Sequence, residues 1–168
     1  FAKQHAEAGM FGVSQEFGDS KAILVGDLLF VFANELASFE NENVRRTWDQ
    51  LCTEVVLGQT LEIETQAART FDTETSRFIA EYKSGKYSIE RPMQLGAAFA
   101  NQPDECKSDL SAVGIPLGVA FQVRDDLLGV FGSAELTGKP VGEDLREGKP
   151  TILLAEAFGL ASDAQRNE

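Results

Sequence analysis

Apolar residues recur at three- and four-residue steps along most of this chain, and no alternating run is long enough to predict a strand. In residues 20–39, Ile23, Leu24, Leu28, Val31, Phe32 and Leu36 follow that rhythm, with Asp19 or Ser20 as the expected N-cap. Apolar residues surround much of this segment, which predicts a helix buried at the centre of a bundle and partly at a subunit interface. Further helices are predicted over 44–68, 73–100 and from about Lys107 to Gly132, with Pro92 expected to kink the third and Pro116 to interrupt the fourth. The glycines and prolines of 132–150 predict a loop, and a fifth helix starts near Thr151. The pattern predicts an all-α fold with 1–168 as one domain and no internal repeat.

Composition narrows the function. The 168 residues are 43% hydrophobic and 25% charged, enough for a substantial core. A formal charge of -12 argues against nucleic acid, whose phosphates demand clustered Lys and Arg, but leaves room for a small phosphorylated ligand held through metal ions. Cys52 and Cys106 show no metal-ligand or redox spacing, which predicts packing roles and a reduced, cytoplasmic setting. The longest apolar stretch, residues 22–33, is broken by Asp27 and is shorter than the roughly 20 residues a bilayer requires, so no stable membrane insertion is expected. The chain opens at Phe1 without a methionine and is expected to be part of a longer protein.

Candidate chemistry concentrates in "FQVRDDLLGVFG", residues 121–132. Gln122, Asp125 and Asp126 stand at i, i+3 and i+4 on one helical face amid Val123, Leu127, Leu128 and Val130. Adjacent carboxylates in apolar surroundings need a proton, a cation or open solvent. An oxygen-only set suits Mg²⁺, which keeps several waters and binds through one or two carboxylates plus substrate phosphates. The following loop adds Lys139, Asp144 and Lys149, spaced ammonium groups of the kind a diphosphate requires. Upstream, Gly58 permits close helix approach, Gln59 and Glu62 share a face, and Lys83 and Tyr87 sit four residues apart. Gly26 and Asp27 are expected to be structural. His5 is the only histidine, which removes His-dependent triads and leaves it a local contact.

These blocks resemble one family. "FQVRDDLLGVFG…TGKPVGEDLREGK" is similar to the second aspartate-rich region of the trans-isoprenyl diphosphate synthases, or polyprenyl synthetases, and "FGDSKAILVGDLL", "GQTLEIE" and "YKSGKYSIERP" follow the family's other blocks in its order. The likeness is to the short-chain type, geranylgeranyl or farnesyl diphosphate synthase. It implies an isoprenoid synthase helical bundle with a central cavity, usually a homodimer. Mg²⁺ and an allylic diphosphate would meet there with isopentenyl diphosphate, whose double bond attacks the allylic carbocation to give a longer trans-polyprenyl diphosphate. By position, Asp125 would ligate the metal, with Asp126 and Asp144 in support and Glu62 standing where the family has Asp; Lys83, Lys139 and Lys149 would hold the diphosphate, and Gln59 and Gln122 would line the site. Catalysis would fall to Asp125, Asp126 and Lys83. Gly129 replaces the third aspartate of the motif, and the family's first aspartate-rich motif lies upstream of the segment matching "FAKQH". A non-catalytic subunit of a heteromeric synthase and a class I terpene cyclase are the alternatives.

Overall fold

The structure, a computed structural model, describes residues 15–37, 40–133, 135 and 141–166. It divides into two compact units, 1–40 and 41–168. Every element among the described residues is helical.

The described part of the first unit is one helix, α1, Gln15–Leu36. It begins before the predicted caps, so Asp19 and Ser20 lie inside its first turns, where the Lys21 ammonium stands 5.8 Å over the Phe17 ring. In the single chain its apolar side chains are exposed, Ile23 at 65% and Val31 at 58%. Gly26 carries no close packing either, since a β-carbon there meets nothing within 4 Å. A helix apolar on all sides satisfies itself only against another surface.

In the second unit, α2 runs over Glu42–Ala68, two residues longer at its start than the apolar rhythm predicts. The reason is a cap: the Asn41 side chain accepts from the backbone N–H groups of Asn43 and Val44. The predicted 73–100 helix is continuous but changes pitch. Asp72 caps α3, Thr73–Ala80; a π-helical segment, π1, covers Glu81–Glu90; and α4 completes it over Arg91–Phe99. Pro92 falls where the wide turns end, with the Arg91 N–H bonded five residues back to Lys86 O. The missing N–H is thus accommodated by a change of helical pitch. α5, Glu105–Phe131, carries Pro116 within it. The predicted loop contains a five-residue helix, α6, Glu143–Glu147, framed by Gly142 and Gly148 at φ 78° and 65°, where only glycine is at ease. Thr151 caps α7, Ile152–Leu160, and α8 is a single turn, Asp163–Arg166.

Glycines let α2, π1 and α5 touch backbone to backbone. A β-carbon on Gly58 would lie 2.5 Å from the Lys83 nitrogen, and one on Gly85 would lie 3.3 Å from the Gly118 carbonyl carbon. The interior so formed is unusually polar. The buried face of α2 is Val44, Thr47, Glu54, Gly58, Glu62 and Thr65, while its Val56, Leu57 and Ile63 are exposed. The buried acids of α2 are paired there, Glu54 with Arg91 and Glu62 with Lys83.

Candidate functional site

α2 contributes Gln59 and Glu62, π1 contributes Lys83, α5 contributes Gln122, Asp125 and Asp126, and the loop around α6 contributes Asp144 and Lys149. Glu62, three residues after Gln59, accepts from its amide at 2.8 Å. The Lys83 ammonium donates to both Glu62 oxygens, at 2.7 and 2.6 Å. On α5 the Gln122 amide donates to Asp126 Oδ1 at 2.8 Å, a pairing fixed by their i, i+4 spacing. Glu62, Lys83, Gln122 and Asp126 line one open cavity of about 30 Å³, together with Ser76, Ser84 and Thr151.

The adjacent acids of α5 are not equivalent. Asp126 is 4% exposed, whereas Asp125 faces outward. Burial pushes the Asp126 carboxyl up to about 6, with the charges of Asp144 and Asp125 adding to the rise and Gln122 and Lys83 opposing it. Asp144 is held by Lys149 at 2.7 Å, and Lys149 also reaches Glu147 Oε2 at 2.9 Å. Hydrogen bonding from Lys149 to Asp144 holds its ammonium well above the usual lysine range. Gly129 faces this loop: a β-carbon there would lie 3.3 Å from Asp144 Oδ2, and its carbonyl accepts from Gly142 N at 2.8 Å.

Gln59, Glu62 and Lys83 form one group, Gln122 and Asp126 a second, and Asp144 with Lys149 a third, while Asp125 is exposed. Lys139 and His5 lie outside the described residues. Tyr87 is 47% exposed and lines no described cavity. Among the described residues, no three His, Cys, Asp or Glu side chains stand together closely enough to hold a metal ion by themselves. Glu147, Ser84 and Thr151 are not among the site residues the sequence predicts, Thr151 being read only as a helix start. Only Glu147 carried a signal, two residues before Lys149 in the predicted loop.

Residues 9–168 match the model of the polyprenyl synthetase family. The chain belongs to that family. It is 34% identical over 147 residues to the short chain isoprenyl diphosphate synthase of Methanocaldococcus jannaschii, covering 84% of this chain and 44% of that protein. It is 35% identical over 156 residues to the geranylgeranyl diphosphate synthase of Methanosarcina mazei, covering 89% and 48%. Among solved structures it resembles the geranylgeranyl pyrophosphate synthase of Corynebacterium glutamicum complexed with isoprenyl diphosphate and magnesium, with a TM-score of 0.86, 38% identity, and coverage of 94% of this chain and 46% of that one. The fold is therefore the helical isoprenoid synthase fold. The chain spans about half the length of the relatives it matches. No described helix is long and apolar enough to cross a membrane.

Proposed function

We propose that the whole protein is a Mg²⁺-dependent prenyltransferase that condenses isopentenyl diphosphate with an allylic diphosphate to give a longer trans-polyprenyl diphosphate, acting as a homodimer. The observation that carries this reading is the meeting of Asp126, Gln122, Lys83 and Glu62 at one cavity, with Asp144 acting on Asp126 through its charge and itself paired with Lys149, in a chain of the polyprenyl synthetase family.

Each lysine is poised for a diphosphate. An ammonium has three donors. Lys83 gives two to Glu62 and Lys149 one each to Asp144 and Glu147, so each retains a third for a phosphate oxygen. The acids hold the ammonium groups in place before the ligand arrives, which lowers the ordering cost of binding. The donor set also suits a hard dication: the charges of Asp144 and Asp125 both disfavour ionisation of the buried Asp126, the donors are oxygens only, and a cation would reverse that penalty. Bound there, Mg²⁺ would neutralise charge developing on a departing diphosphate. Gln122 orients the Asp126 carboxylate, and the two lysines supply positive charge at the leaving group without any proton transfer. The exposed apolar faces of α1 support a dimer.

Incubating the full-length protein with isopentenyl diphosphate, geranyl diphosphate and Mg²⁺ tests the reading. Chain-extended diphosphate released with inorganic pyrophosphate is expected, and Asp126→Asn should abolish it. No product from a full-length protein that still binds Mg²⁺ and diphosphate would favour a non-catalytic subunit; product formed without isopentenyl diphosphate would favour a cyclase.

A further inference from the structure

We propose that the buried Glu54–Arg91 pair is a positioning device for Lys83, holding the π-helical segment in register with α2 so that the ammonium stands at the diphosphate site. This rests on the functional reading above. The Arg91 fork grips Glu54 side-on, Nε to Oε2 and Nη2 to Oε1, both at 2.7 Å, and Lys86 adds a contact to Oε1 at 3.2 Å. Both partners are buried, Glu54 8% and Arg91 5% exposed. Arg91 also bonds the Gln94 amide oxygen, and Gln94 reaches Ser111 on α5 at 2.9 Å.

Stability is a poor reason to keep such a pair, because well-packed apolar residues usually do as well or better than two desolvated charges. The neighbouring Glu90 makes the point sharper: its Oε2 is buried with no hydrogen-bond partner. Location supplies the better reason. Glu62 meets Lys83, Gly58 meets the backbone of Tyr82 and Lys83, and Glu54 meets Lys86 and Arg91, so α2 and π1 run antiparallel. Eight residues separate Glu54 from Glu62 and eight separate Lys83 from Arg91. The two ion pairs therefore fasten both ends of one stretch. Between them lie wide turns with poorer intrinsic stability than an α-helix. Were those turns to relax to α geometry, a slip of one residue would swing Lys83 through about 100° relative to Arg91. The grip on Glu54 blocks that slip.

Two variants that keep a polar pair test the device: Arg91→Lys, which retains charge but loses the fork, and Glu54→Gln/Arg91→Gln. Binding of inorganic pyrophosphate with Mg²⁺ is measured calorimetrically in each, with and without Lys83→Met, alongside the Lys83 side-chain ammonium signal by ¹⁵N NMR, assigned through Lys83→Arg. The expectation is a loss of about tenfold or more in affinity, as displacement of a positioned group entails, and no further loss once Lys83 is Met. The ammonium signal should shift in both variants while the helical circular dichroism spectrum persists. An equal loss in both Lys83 backgrounds, or no loss, overturns the proposal. If the wild-type protein binds no pyrophosphate, the functional reading fails, and the device is judged on the ammonium signal alone: an unmoved signal overturns it.

Discussion

Gly118 and Gly85 meet backbone to backbone: a β-carbon on Gly118 would lie 2.8 Å from the carbonyl carbon and oxygen of Gly85. No flexible side chain is available to yield, so α5 and π1 would have to move apart. Gly118→Ala should cost roughly 1–3 kcal/mol, the usual penalty of overpacking. Gly96, inside α4 with nothing within 4 Å of its β-position, is the control. There alanine should stabilise by about 0.5–1 kcal/mol through helix propensity. Chemical denaturation of the two variants checks both signs.

Asp126 predicts a pH dependence. Its carboxyl is raised by burial from 3.8 to about 6, so the fold prefers the neutral acid. Stability attached to the proton is fully present below 3.8 and is lost as pH rises through about 6. At about 1.4 kcal/mol per pH unit, the loss approaches 3 kcal/mol at pH 8 in the absence of metal. Asp126→Asn should flatten the profile between pH 4 and 7 while keeping the Gln122 hydrogen bond. Mg²⁺ should restore wild-type stability at pH 8 and leave the variant unchanged. A wild-type protein whose denaturation midpoint is level across that range would show that the acid is not buried as described.

The helices and most of the site were legible in the sequence because the spacings carry them. Gln122 and Asp126 meet through an i, i+4 step, and Gln59 and Glu62 through i, i+3. What was not legible depends on partners distant in the chain. Nothing in "EYKSGKYSIE" distinguishes a π-helical segment from an α-helix, since the difference lies in how Gly85 and Gly58 seat against α5 and α2. The polar interior was hidden for a similar reason: Glu54, Gly58 and Glu62 recur at four-residue steps, but acids at that spacing ordinarily mark a solvated face, and it takes Lys86 and Arg91, 32 and 37 residues on, to pair Glu54 inside. What would cover α1 was not legible either, because all-round apolarity reports a need for cover without saying what provides it, and in the single chain its apolar side chains are exposed.

Lys149 is expected to act on ligand binding more than on the fold. Its side chain is one-third exposed and its ammonium is shared between Asp144 and Glu147, a geometry worth little net stability. Lys149→Gln should leave the melting temperature within a degree or two while weakening pyrophosphate binding in the presence of Mg²⁺. Glu147→Gln should do the reverse, freeing one ammonium donor and strengthening it modestly. Isothermal titration at two salt concentrations checks both, since the difference between wild type and Lys149→Gln should shrink as salt screens the charge.

Gly129→Asp tests how the loop completes the acidic cluster. The residue stands four after Asp125 and three after Asp126, on the same side of α5, and its β-position lies 3.3 Å from Asp144 Oδ2. An added carboxylate would therefore meet Asp144 directly. Without a cation, two like charges at that distance repel, and Lys149, already shared with Glu147, cannot neutralise both. The variant should unfold more readily than wild type in a chelator at pH 8 and recover part of the loss when Mg²⁺ is added. Its affinity for Mg²⁺ in the presence of diphosphate should rise by about tenfold, within the range that supporting groups around a metal contribute. Asp125→Asn in the same titration should lower that affinity. Should Gly129→Asp leave the Mg²⁺ dependence of both stability and binding unmoved, Asp144 would not belong to the metal's surroundings, and the loop's role would reduce to holding the diphosphate through Lys149.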